Sequence, residues 1–369
     1  MNRILFAASI GAVAVSCGGG PSEAPSAGES VPLMIVDSIG VEMGDSNYVF
    51  GSITSIEFGP DGLLYVLDRA ACNVRVFSRE GELVRVISRE GGGPGELMSP
   101  FAMAVLGDGR ISVCSPFNGG IQQFLPEGTW EGLSAEFTNN PPLMMEGADS
   151  NAYVALKLDV TPPSEGGQEI TVGVRICRYE ESNEPAVVYY QNSFPFDPLN
   201  LTMILRESFF GYTFDARRDG MVAMARRSSE AYEVRLFDAS GNPLGTLTRD
   251  LPVVPKSEEE ILDEKTFVEG MMQSMGASGV AIDYDPDPDR DQVIGVFFDG
   301  EDRVWVQRGS TDGAVFDVWS TDGSLLFTAE IEGVGTEGRY WDFEPGSGAI
   351  YAYSLDPELY QQIFVIPMP

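Results

Sequence analysis

An all-β chain folded as a six-bladed β-propeller, closed by an N-terminal strand and carrying one inserted helix between blades four and five, is the architecture the sequence predicts. Three observations carry this expectation. Residues 61–81 (DGLLYVLDRAACNVRVFSREG) align without a gap on residues 108–128 (DGRISVCSPFNGGIQQFLPEG), at an offset of 47 residues. Each copy runs Asp-Gly, an alternating apolar segment, a polar turn, a second alternating segment ending in Phe, and Glu-Gly, which is strand, turn, strand, turn. A period of this size reads as one blade, because a small sheet cannot bury its faces until neighbours stack on it. Turn anchors then recur at Asp61, Asp108, Asp149, Asp219, Asp299 and Gly346, which makes six. Finally, 42 Gly and 24 Pro supply the many tight turns such a fold needs.

Residues 31–40 (VPLMIVDSIG) alternate in polarity and precede the first full unit, as a ring-closing outer strand would. Blade one has strands at 53–58, 63–67, 74–77 and 83–87, and blade two at 102–106, 110–114, 121–124 and near Trp130. The third unit is degraded, with strands at 143–145, 153–158, 172–177 and 186–190. The fourth returns clearly at 211–214, 221–226, 233–237 and 244–247, and the fifth at 293–298, 303–307, 315–319 and 325–331. Only three strands are visible in the sixth, at 340–343, 349–353 and 362–366, so 31–40 is expected to supply its fourth. Between blades four and five, residues 255–276 (PKSEEEILDEKTFVEGMMQSMG) break the pattern. Ser257 and Glu260 make a capping box, and Ile261, Leu262, Phe267, Val268, Met271, Met272 and Met275 recur at helical spacing. This helix is a lid on the axial mouth, a partner-binding face, or a piece packed on the propeller side.

The first residues concern address. Arg3, an apolar run at 4–15 and Ala14-Val15-Ser16-Cys17 read as a secretion signal of residues 1–17 whose Ala-Val-Ser-Cys resembles a bacterial lipobox, with Cys17 lipidated and 18–30 a flexible tether before the propeller at 31–369. The expected location is therefore extracytoplasmic, lipid-anchored to the cell envelope, and on the outer membrane if the cell has two. With 23 basic against 56 acidic residues the net charge is −33, which excludes nucleic acid as a partner. The expected partner is a protein, peptide or glycan of the envelope. Beyond Cys17 stand Cys72, Cys114 and Cys177, whose spacing pairs none of them. They read as small core residues, with one disulfide left open in an oxidising compartment.

No His occurs in the chain, so Ser-His-Asp and Cys-His nucleophile pairs and most zinc sites are excluded. Gly91–Gly95 could cradle phosphate, but no Gly-Lys-Ser/Thr follows, and a turn between blades is the better reading. Asp283, Asp285, Asp287, Asp289 and Asp291 (DYDPDPDRD) could wrap a hard cation with oxygen ligands, or form an extended solvated loop. No cofactor is expected, Ca2+ being the one the sequence leaves open. Arg217, Arg218, Arg226 and Arg227 form the dense basic cluster, and Arg226 and Arg227 fall at a strand end on the rim, where they would bind a ligand carboxylate or phosphate unless internal ion pairs consume them.

Residues 89–100 (REGGGPGELMSP), read with the following strand and Asp108-Gly109, give the chain its family likeness. Gly93-Pro94-Gly95-Glu96-Leu97 and Pro100 match a segment that joins blades in NHL-type six-bladed propellers, and the chain resembles the secreted bacterial lipoproteins of that group. The resemblance implies fold but no single activity, since the group includes binding scaffolds and enzymes. Amidating lyases of similar fold use His-bound zinc, which this chain cannot supply. The functional expectation is a non-catalytic binding module for a protein, peptide or glycan. The alternative is a Ca2+-dependent hydrolase or lactonase with axial carboxylate ligands.

Overall fold

The structure, a computed structural model, describes residues 28–136, 140–162, 170–180, 182–196, 201–208, 210–274, 284–334, 340–346, 348–356 and 359–369. The leader, Cys17, most of the tether, Met275, Gly276 and Asp283 lie outside them.

Six sheets are present, each built around four successive antiparallel strands or completed from the N-terminal segment. Blade one comprises Ile53–Phe58, Leu64–Asp68, Asn73–Phe77 and Leu83–Ile87, and blade two Ala102–Val105, Ile111–Ser115, Gly120–Phe124 and Trp130–Glu136. Blade three comprises Pro142–Gly147, Tyr153–Thr161, Thr171–Tyr179 and Val187–Pro195, so the unit that looks degraded in sequence has the longest strands. Blade four comprises Tyr212–Ala216, Val222–Arg226, Tyr232–Phe237 and Pro243–Arg249, and blade five Val293–Phe298, Arg303–Arg308, Ala314–Ser320 and Leu325–Ile331. Blade six contributes Trp341–Pro345, Ala349–Ser354 and Ile363–Pro367. The chain is a six-bladed β-propeller.

Closure differs from expectation in one respect. Residues 31–40 do not form a single strand: Asp37–Ile39 completes blade six antiparallel to Ile363–Pro367, while Ser30–Leu33 adds a fifth, parallel strand to blade five beside Leu325–Ile331. Ten extended residues would span about 33 Å. That exceeds the outer strands of blades five and six, which are seven and five residues long. The segment is therefore divided between adjoining blades and stitches them together.

The anchor turns show why Asp recurs. Asp61, Asp108, Asp149, Asp219 and Asp299 each accept, through Oδ1, the N–H two residues on, at 2.9 to 3.1 Å. The following Gly62, Gly109 and Gly220 stand at φ +75°, +88° and +87°, where a Cβ is strained. Six apolar clusters fill the six interfaces between blades. Alternate residues of one strand serve opposite interfaces: Tyr65 and Leu67 pack toward blade two, Leu64 and Val66 toward blade six. This is why central strands are buried on both faces. Cys72, Cys114 and Cys177 are buried and unpaired within these clusters.

Helix α1 (Leu201–Glu207) leads into blade four, and α2 (Glu258–Ser274) lies between blades four and five. The capping box of α2 is made in both directions: Glu260 N–H donates to Ser257 Oγ at 3.2 Å, and Ser257 N–H to Glu260 Oε2 at 2.9 Å. The two helices share an apolar cluster of Leu205, Val268 and Tyr284, joined by Phe210, Phe267, Met271 and Met272. Residues 89–97 close on themselves, Gly91 N–H reaching Leu97 O and Gly93 N–H reaching Glu96 Oε2, which leaves a turn rather than an anion cradle.

Candidate axial site

The innermost strands meet around the propeller axis, and their ladder register places a repeated position there. In each blade the penultimate residue of the first strand falls at the same pairing step: Glu57, Ala104, Glu146, Asp215, Phe297 and Glu344. Four of the six are acidic, and Asp342 adds a fifth carboxylate one step back on blade six.

These side chains have a structural task. An inner strand leaves backbone N–H groups on its channel edge without a ladder partner, and such groups need an acceptor. Glu57 Oε2 accepts Val105 N–H of blade two at 2.7 Å, Asp215 Oδ2 accepts Phe298 N–H of blade five at 2.6 Å, and Glu344 Oε1 accepts Phe58 N–H of blade one at 3.3 Å. The three N–H groups sit at one equivalent register position, so the carboxylates staple blade one to two, four to five and six to one. Thr213 repeats the device one layer up, its Oγ1 accepting Val296 N–H at 3.1 Å.

The staples leave capacity unused. Glu57 Oε1 is buried with no hydrogen-bond partner among the described residues. Asp342 is held by Phe343 N–H and Tyr353 O–H, both at 3.0 Å. Burial pushes the Glu57 carboxyl up to about 8, and the Asp215 carboxyl up to about 7, against hydrogen bonds from Val105 and Phe298 that pull the other way. Glu146 and Glu344 are raised well above the usual carboxylate range by burial and then by Asp215 and Glu57, and Asp342 is raised by burial. The surface that Glu146, Asp215, Asp342 and Glu344 do expose opens onto the axial cavity, inside the protein envelope.

Arg218 closes the far end. From the blade-four turn it crosses to Phe58 O of blade one and Leu106 O of blade two, and its charge lowers the Glu57 and Asp215 pKa values. Toward the other end the channel widens into a cavity of about 720 Å³. Its wall there includes Phe267, Val268 and Met271 of α2, Phe210 beyond α1, and the starts of the inner strands. Phe267 stacks on Tyr340 with ring centroids 4.4 Å apart, so α2 covers the cavity rather than packing on the propeller's outer side.

The four arginines of the sequence cluster part company. Arg217 pairs with Asp219 at 2.5 Å and Asp302 at 3.0 Å, Arg218 spends itself on backbone carbonyls, and Arg226 pairs with Glu207 at 2.6 Å. Arg227 enters the cavity and makes no side-chain hydrogen bond or ion pair among the described residues, with its Nε among the buried unpartnered atoms. Burial lowers its pKa, opposed by Asp291, Asp342 and Glu264. Of the aspartates proposed as cation ligands, Asp287 and Asp291 line the cavity, Asp285 is exposed with its carbonyl taken by Arg206 at 2.6 Å, and Asp289 bridges to Pro255. Burial brings the Asp291 carboxyl up to about 6, though Arg227 and Lys256 oppose it.

A bound Ca2+ requires about six to eight oxygens converging on one point. Among the described residues no three acidic or cysteine side chains are grouped to hold a metal, and three axial carboxylates already spend an oxygen on backbone N–H groups. As placed, neither the axial carboxylates nor the Asp-rich loop fits such an ion.

A family model described as a 6-bladed beta-propeller matches residues 36–114. A search of curated proteins gives no match. Similar solved structures include the calcium-binding protein regucalcin from Agrobacterium tumefaciens, at 10% identity and TM-score 0.43, covering 92% of this chain and 97% of that one. A streptogramin B lyase is similar at 9% identity and TM-score 0.46, covering 90% of this chain and 97% of that one. A gluconolactonase from Xanthomonas campestris is similar at 12% identity and TM-score 0.43, covering 95% and 99%. These likenesses carry no argument about chemistry.

Proposed function

We propose that this chain is a binding propeller that encloses a small hydrophilic ligand in its axial cavity, with the carboxylate floor receiving a cationic group. The observation that supports it most is the repetition of Glu57, Glu146, Asp215 and Glu344 at one register position beneath a cavity of about 720 Å³, within the range of small-ligand sites. Carboxylates raised this far lower their free energy by taking up a proton or a cation. The partner is therefore small enough to enter, a glycan unit or peptide end rather than a large surface. On this reading the chain is an NHL-type propeller of the bacterial lipoprotein group, exported and held at the envelope through Cys17.

Calorimetric titration with choline, using glucose as the neutral control, tests the floor. Choline is expected to bind at least tenfold more tightly at pH 8.5 than at pH 6, as the floor gives up its protons, and Asp215→Asn should weaken it. No heat from choline at pH 8.5 would overturn the reading.

A hydrolase using the same carboxylates as general acid and base is the second reading. It is favoured by Asp215, which lines the cavity and whose carboxyl burial brings up to about 7, close to the pH where such groups exchange protons best. Turnover of a lactone or aryl glycoside panel that disappears in Asp215→Asn would establish it, and no turnover would remove it.

A further inference from the structure

Among the described residues six cationic side chains line the cavity: Arg69, Arg206, Arg226, Arg227, Lys256 and Arg290. Five are engaged. Arg226 pairs with Glu207, Lys256 with Glu264 at 2.6 Å, and Arg290 with Glu260 at 2.9 Å and Asp312 at 2.7 Å. Arg69 donates to Ser99 Oγ and Arg206 to Asp285 O. Arg227 alone has neither ion pair nor side-chain hydrogen bond among the described residues, in a chain with 56 acidic residues to choose from.

The carboxylates that act on it are placed to leave a gap. Asp291, Asp342 and Glu264 attract Arg227 electrostatically, yet none stands within ion-pair distance. Glu264 is already satisfied by Lys256 and by the Tyr284 hydroxyl at 2.6 Å. A guanidinium presents five N–H donors in a planar fork that matches an oxyanion, and leaving such a fork unpaired inside a protein is costly. The backbone holds the residue in place, since Arg227 N–H donates to Gly211 O at 2.9 Å just beyond the second strand of blade four.

We infer that Arg227 is the anchor for a carboxylate or phosphoryl oxyanion of the ligand, held between the axial floor and α2. This rests on the axial-cavity reading and adds a second pole to it. The ligand class becomes a small polar acid, with its oxyanion at Arg227 and its hydroxyl or ammonium end toward Asp342, Asp215 and Glu344. Removing the guanidinium deletes a desolvated charge that makes no hydrogen bond or ion pair among the described residues, so ligand-free Arg227→Gln should melt no lower than the parent protein. An arginine with a structural role would behave in the opposite way.

The experiment titrates the full chain and its Arg227→Gln and Arg226→Gln variants with galacturonate, galactose, inorganic phosphate and choline. Galacturonate is expected to bind at least tenfold more tightly than galactose, with phosphate competing. That preference should vanish in Arg227→Gln and survive in Arg226→Gln. Phosphate competition without galacturonate preference would assign the subsite to phosphoryl ligands. Equal binding of galacturonate and galactose without phosphate binding, or a preference retained in Arg227→Gln, would overturn the inference. Choline binding unchanged in Arg227→Gln, with no oxyanion effect, sinks the anchor and spares the floor. Absence of all binding sinks both.

Discussion

Replacing Glu57 by Gln tests the electrostatics of the axial floor without removing its staple, because the amide oxygen can still accept Val105 N–H. Glu57 is 6% exposed and its carboxyl is raised from 4.5 to about 8. Below pH 4.5 the folded and unfolded chains both hold this proton. Between there and about 8 the unfolded chain has released it and the folded chain has not, so stability falls as pH rises, and above about 8 the loss is complete. A displacement of this size corresponds to about 5 kcal/mol as an upper bound. The figure belongs to the cluster, because Asp215, Glu146 and Glu344 are each also raised by neighbouring acidic groups. At up to about 2 °C per kcal/mol for a chain this large, the melting temperature of Glu57→Gln should rise relative to the parent, by at most about 10 °C, between pH 4.5 and pH 8.5. Thermal melts in chelator at pH 4.5, 6, 7 and 8.5 measure it. A difference between the two proteins that does not change with pH would refute the reasoning.

Further outcomes follow from other parts of the molecule. Asp317 is fully buried and accepts Arg308 Nε at 2.9 Å and Arg249 Nη1 at 2.6 Å, so Asp317→Ala leaves two guanidinium groups short of a partner. Denaturant unfolding should show a loss of about 3–5 kcal/mol. Gly109→Ala places a Cβ at φ +88° and 3.0 Å from Pro126, and the same assay should register about 1–2 kcal/mol. Ser257→Ala removes the α2 cap, worth about 1 kcal/mol. Amide exchange should quicken in the first turn of α2 while the global melt barely moves. Cys72, Cys114 and Cys177 are buried thiols, and burial pushes Cys114 and Cys177 up, so a thiol reagent should label none of the three before unfolding.

What could be read from the sequence is what is local. The six units announce themselves because Asp-Gly turns and two-residue alternation are decided by neighbours within a few positions, and the α2 capping box is likewise complete within four residues. The long strands of blade three are hidden because their second turn departs from the repeat, and the division of 31–40 because pairing partners lie some three hundred residues away. The floor carboxylates stand in dissimilar contexts, Ile-Glu-Phe, Met-Glu-Gly, Phe-Asp-Ala and Phe-Glu-Pro, and only the ladder register makes them equivalent. Aligning every unit on its first strand, rather than on its turn, would have exposed them as a recurring acid. Arg226 and Arg227 look interchangeable as adjacent letters and both line the cavity, yet Arg226 meets Glu207 there while Arg227 meets no acid within pairing distance among the described residues. The five-aspartate run overstates its own cohesion, because Pro286 and Pro288 keep it extended and spread its side chains between cavity and surface.

The measurement that bears most directly on the axial floor is a pH titration of the protein labelled with carbon-13 at its Glu and Asp carboxyl carbons. A set of carboxyl resonances titrating above pH 6 is expected, with Glu57 near 8 and Asp215 near 7, each vanishing in the matching Gln or Asn variant. If every carboxyl titrates below about pH 5, within the ordinary carboxylate range, the acids do not share an enclosed floor and the account of the cavity is wrong.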